Sequence, residues 1–171
     1  MKNLIEDKNA KTKSFFINSE KTFFSEKYLN FLINFYKKNK IDVRICLHKN
    51  RKSKHHDMII LQQKRNFYKP HKHLRKGETY HIIKGSMILV IFTDDGDIKY
   101  SYHIKKNDVI RAPINKYHTM LPYSKFVIYH ESKSGPFLLK NDSIFPYWIK
   151  EFKNKKQIDL FKEKVMQTIK E

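Results

Sequence analysis

The chain has 171 residues, 40% of them apolar and 14% aromatic, which suits one packed domain. Its 36 basic residues against 17 acidic ones leave a formal net charge of +19, but only five of the cations are arginine and the lysines are spread along the whole chain. Base readout favours arginine, so the composition argues against a specific nucleic-acid partner and leaves a bias toward small anionic ligands. No apolar run reaches the length of a membrane span, and Met1 to Lys8 has charge without the apolar stretch of a signal peptide. The single cysteine, Cys46, excludes an intramolecular disulfide.

Residues 1–13 are polar and read as a loose start, followed by a short edge strand at Phe15-Phe16-Ile17. Ser25 is placed to cap an amphipathic helix over 26–39, whose stripe of Leu29, Leu32, Ile33 and Tyr36 suits core packing. From Ile41 the period changes to two. Arg44, Cys46 and His48 then share one face of a strand, and Val43, Ile45 and Leu47 share the other. The first set fits either a solvent face or a polar cavity inside a barrel. Arg51 to His56 reads as a charged hairpin loop and Met58 to Gln63 as the next strand.

His71 and His73 are two apart, so on extended chain they point the same way. Glu78 follows a short loop containing Gly77 and opens the returning strand Thr79 to Ile83, with a turn at Gly85. Met87 to Phe92 has the continuous apolar character of a buried strand. Thr93-Asp-Asp-Gly-Asp97 is a strong hairpin turn, and Ile98 to Ile104 returns. A turn at Asn107-Asp108, a strand at Val109 to Ala112, the segment Pro113 to His118 and a strand at Phe126 to Glu131 complete the pattern. Ile158, Phe161, Val165 and Ile169 recur at helical spacing, which predicts a closing amphipathic helix. Many short strands with turns every eight to twelve residues predict an all-β sandwich or barrel.

Two imidazoles and a carboxylate, His71, His73 and Glu78, can converge across a hairpin, with His118 as a fourth ligand. Such a set takes one divalent transition metal: zinc, iron, manganese or nickel. Arg44, Lys69 and Arg111 are candidates to hold an anionic group, and His48, Tyr117 and Glu131 to transfer a proton. His55, His56, His81 and His103 read as loop or outer-face residues, and Tyr147 with Trp148 as an aromatic seal.

His71, His73, Glu78 and Gly85 match the first cupin motif, and Pro113 with His118 matches the core of the second. Asn107 and Asn115 stand where that second motif usually has glycine, and Pro122 where it usually has asparagine. The chain more closely resembles the WbuC-type cupin metalloproteins. The likeness runs over about residues 41–150, through Val43 to His48, His56-Asp-Met58, Lys69 to His73, Glu78 to Gly85, Tyr117-His-Thr119, Val127 to Glu131, Gly135-Pro-Phe137 and Pro146-Tyr-Trp148. This resemblance implies a mainly β fold, the cupin double-stranded β-helix or jelly-roll barrel, over 41–150. A helical segment over 1–40 and a helix over 151–171 would flank it. It further implies a cytoplasmic homodimer that binds a small anionic sugar-like substrate in surface-polysaccharide biosynthesis. The activity expected is that of a metal-dependent sugar-nucleotide isomerase or epimerase. A non-catalytic carbohydrate-binding or regulatory cupin and an iron-dependent oxygenase are the alternatives.

Overall fold

The computed structural model describes residues 3–18, 22–138 and 142–169. In chain order the elements are β1 (Leu4–Glu6), β2 (Lys13–Ile17), α1 (Glu26–Asn39), β3 (Val43–Cys46), β4 (His55–Gln63), β5 (Glu78–Lys84), β6 (Ser86–Phe92), β7 (Ile98–Lys105), β8 (Val109–Ala112), β9 (His118–Pro122) and β10 (Phe126–Ser134). A 3-10 turn (Tyr147–Glu151) and α2 (Lys155–Thr168) close the chain. The strands form a seven-stranded sheet, ordered β1-β2-β3-β4-β10-β5-β8, and a three-stranded sheet, ordered β7-β6-β9.

Strand alternation builds the layers. In β4, Met58 and Ile60 face inward to the cluster between the sheets, while Ile59 and Leu61 face outward against α1. In β6, Met87, Leu89 and Ile91 face inward, while Ile88, Val90 and Phe92 meet Trp148 and Val165 on the α2 side. That is why β6 reads as an unbroken apolar run: both of its faces are covered. Each aliphatic side chain so enclosed contributes roughly 1.5–3 kcal/mol of transfer free energy. α1 buries Tyr28, Leu32 and Tyr36 one turn apart against Val43, Ile45 and Ile128. It ends at Lys40 in the left-handed region (φ 55°), whose N–H donates to the Tyr36 carbonyl at 2.8 Å.

The structure departs from the sequence reading in several places. The expected loose start contains β1, which pairs with β2 so that β2 is internal, not an edge, and runs parallel to β3. Ser25 precedes α1 as expected but makes no side-chain cap; its backbone carbonyl accepts from the Tyr28 N–H instead. The charged loop ends two residues earlier than expected, so His55 and His56 belong to β4, and β10 runs three residues past Glu131. Asn107 and Asn115 adopt φ of 75° and 58°, the left-handed conformations for which glycine is usual at those places.

Candidate metal centre and its cavity

Strand register lines up three rows of side chains on the inner face of the large sheet. One row carries His56, Lys133, Glu78 and Ala112 on successive strands. The next carries Phe16, Cys46, Met58, Glu131, Tyr80 and Ile110, and the third Ser14, Arg44, Ile60 and Tyr129. Polar groups therefore enter the interior where strands β3, β4, β10 and β5 open toward one end of the molecule.

The four expected metal ligands meet there. His71 pairs with His118 through reciprocal backbone hydrogen bonds of 2.9 and 3.1 Å, and the Asn115 N–H donates to the His73 carbonyl at 2.9 Å. These bonds tie the 71–73 segment to the start of β9. Glu78, the first residue of β5, faces them from the large sheet. One nitrogen or oxygen from each of the four lies within 4.8 Å of all the others. Glu78 Oε1 is 3.0 Å from His73 Nε2, and Glu78 Oε2 is 3.0 Å from His118 Nε2. Ligands held about 2.1 Å from a shared ion stand about 3 Å apart, so these spacings fit a first-row divalent metal.

The ring orientations fit as well. The Nδ1 atoms of His71, His73 and His118 face the backbone carbonyls of Lys69 (3.0 Å), Asp142 and Lys116 (2.9 Å). A carbonyl can only accept, so each Nδ1 is the donor and each Nε2 is left with a lone pair for a metal. His73 Nε2 is buried and, despite its closeness to Glu78, makes no hydrogen bond among the described residues. Burial, with His118 and His73 nearby, lowers His71 to a pKa of about 4 against the pull of Glu78. Burial would also lower His73, but the Glu78 carboxylate outweighs it and raises that imidazole. Burial alone would raise Glu78; Lys133, His118 and His73 together hold it well below the usual carboxylate range.

Lys133 was not expected in the site. Its ammonium bridges Glu78 Oε1 at 2.7 Å and Glu131 Oε1 at 3.0 Å, and those carboxylates hold it above the usual lysine range despite burial. The Tyr80 hydroxyl donates to Glu78 Oε2. Both residues could have been found by continuing the alternation: Lys133 follows Val127, Tyr129 and Glu131 at period two.

His71, Glu78 and His118 open onto a cavity of about 390 Å³, which Arg44, Lys69, Tyr80, Glu131 and Lys133 also line. A second cavity of about 470 Å³ adjoins it across Arg44, Lys133 and Phe145. Lys69 is exposed at the rim. His48 lines the second cavity, stacked on His56 with ring centroids 4.1 Å apart. His56 is thus a buried inner-face residue, contrary to the loop or outer-face expectation, because the alternation that carries Met58 and Ile60 inward begins with it. Burial, then the neighbouring His56, lowers His48 to about 4.

Two expected residues lie elsewhere. Arg111 pairs with Thr79 on the face of β8 opposite Ala112, is exposed, and lays its guanidinium over Gly77. Tyr117 packs at 5.9 Å from Trp148 under the Lys72 ammonium, on the α2 side. With His118 turned inward, its chain neighbour faces out. Trp148 is buried as expected for a seal, whereas Tyr147 is 71% exposed.

A family described as a domain of unknown function (DUF6016) matches residues 42–104. No curated protein matches in sequence. The capsular polysaccharide assembling protein CapF from Staphylococcus aureus is similar in structure, with a TM-score of 0.54 at 11% identity over 84% of this chain and 34% of that one. An uncharacterized conserved protein with a double-stranded β-helix domain from Klebsiella pneumoniae gives 0.50 at 14% identity over 68% of this chain and 87% of that one. The chain spans only 27% to 34% of the length of the CapF chains it matches. Two stacked sheets, hairpin connections and these likenesses together give the chain the cupin double-stranded β-helix fold.

Proposed function

We propose that the chain is a metal-dependent cupin of the WbuC type, acting on a small anionic sugar or sugar-nucleotide in surface-polysaccharide assembly as an isomerase or epimerase. His71, His73, Glu78 and His118 hold one divalent transition metal, which when bound supplies a Lewis acid for a substrate oxygen. The observation that carries this reading is the convergence of three carbonyl-anchored imidazoles and one carboxylate, with His71, Glu78 and His118 on the wall of a cavity. The WbuC-like segments and the shared fold of a capsular polysaccharide assembling protein support the setting. A cytoplasmic homodimer belongs to the same proposal.

The chain's own residues have separable tasks. Arg44 binds the anionic part of the substrate. Glu131, on the cavity wall and 3.0 Å from Lys133, moves the proton. Lys133 orients both carboxylates. Tyr68, Tyr80 and Tyr129 donate to Asp42, Glu78 and Gln62 and so complete the wall rather than the chemistry. The pairing of Glu131 with Lys133 also favours a second reading, a non-catalytic sugar-binding cupin, since the ion pair already occupies a carboxylate oxygen that a proton transfer would use.

The two readings separate by incubating metal-loaded protein with a panel of nucleotide sugars in heavy water. Deuterium uptake at a sugar carbon, lost in Glu131→Gln, is expected. Binding of one sugar with neither exchange nor product, at verified metal occupancy, would replace the enzyme with the binding module.

A further inference from the structure

The charges on the cavity wall carry a consequence for what it binds. Four charged side chains line the cavity away from its exposed rim: Glu78 and Glu131, negative, and Lys133 and Arg44, positive. They balance. A divalent ion placed among three neutral imidazoles leaves two positive charges uncompensated. The groups on the wall of a 390 Å³ cavity are close compared with the screening length of about 8 Å at physiological ionic strength. Uncompensated charge in such a place is costly unless it is paired.

Arg44 is built to do that pairing. Its Nε donates to Ser14 Oγ at 2.6 Å, and the Ser14 hydroxyl, fully buried, donates to the Thr12 carbonyl at 2.7 Å. The guanidinium is thereby fixed from behind. Its two terminal nitrogens have no hydrogen-bond partner among the described residues, and the side chain lines both cavities. A planar fork held in this way matches two oxygens of a phosphate or similar group. Lys133, the other cation on the wall, is already occupied by Glu78 and Glu131.

We propose that the cavity is a metal-gated oxyanion site: it binds a phosphate-like group between Arg44 and the metal cluster, and does so far more tightly when the cluster holds its ion. The inference rests on the metal reading above and adds the ligand class and a coupling between the two. Coupling of binding energies is reciprocal, so the anion must tighten the metal by the same factor as the metal tightens the anion. A substrate carrying such a group would then be admitted by the loaded protein and passed over by the empty one.

The test is calorimetric titration of inorganic phosphate into the full chain, metal-free and metal-loaded, with unbound metal removed beforehand. Metal stoichiometry is measured first, so loss of the metal reading shows before any phosphate is added. Phosphate should bind the loaded protein at least tenfold more tightly than the metal-free protein. Arg44→Gln should abolish the difference while leaving metal stoichiometry unchanged. Glu131→Gln removes one negative charge from the wall, so its metal-free form should bind phosphate more tightly than metal-free wild type. Equal affinities in both wild-type states, or no binding in either, would overturn the proposal, as would a Glu131→Gln protein whose metal-free form binds no better than wild type. Should Arg44→Gln fail to fold, the wild-type and Glu131→Gln comparisons still decide.

Discussion

Lys133 is the residue on which the site's electrostatics turn. It offsets two carboxylates that would otherwise face each other in a dry place, and with His118 and His73 it keeps Glu78 ionised without a metal. Removing one partner of a buried ion pair typically costs about 3–5 kcal/mol, because the remaining charge is left unpaired. Lys133→Met should therefore destabilise the metal-free protein by about that amount. A bound divalent ion stands in for the missing ammonium, so thermal unfolding with metal should recover most of the loss. A variant as stable as wild type without metal would show that the bridge contributes nothing. The ligands themselves were legible in the sequence, because a metal site needs imidazole and carboxylate at short, face-sharing spacings. Lys133 and His56 were not. Each lies two residues outside the bounds expected for its strand, and a strand read too short hides the side chain that alternation would have turned inward.

At the level of elements, periodicity was readable wherever one face meets the core: α1, α2, β6 and β7 fall where expected, while β3 stops at Cys46, short of the expected Leu47 and His48. β1 escaped notice because three residues against a single partner strand leave no alternation to count. Arg111 and Tyr117 were misplaced because facing cannot be fixed for a strand or loop whose register is unknown. The β3–β4 hairpin carries a further consequence. The His48–His56 stack puts two imidazoles face to face, and burial disfavours charge on both, helped at His48 by the neighbouring His56 and at His56 by Lys133 and Lys76. A base whose folded pKa lies below its unfolded one binds more protons unfolded than folded. Its contribution to stability is complete above the ordinary histidine value of 6.5 and is lost as pH falls toward the folded value, about 4 for His48. The hairpin should hence open preferentially between pH 6.5 and 4, seen as faster amide exchange across residues 46–58 than in the rest of the sheet. An NMR titration should place the His48 midpoint near 4; a midpoint near 6.5 would mean the stack does not disfavour charge.

For the molecule as a whole, the layering α1, large sheet, small sheet, α2 explains how a chain of 171 residues encloses cavities and still packs a core. Each sheet has one covered outer face, so the space between the sheets need not be filled to the end. Its polar rows form the open part and its apolar rows the packed part. The surplus of lysine surrounds this interior with positive potential, which favours entry of anions and weakens with salt. Among the described residues no helix is long and apolar enough to cross a membrane. The central claim is the metal, and elemental analysis of protein purified without a polyhistidine tag tests it most directly. About one divalent transition-metal ion per chain is expected in wild type, with most of it lost in the His71→Ala, His73→Ala double variant. Full occupancy in that variant, or a folded wild-type protein that takes up no metal when it is offered, would contradict the account.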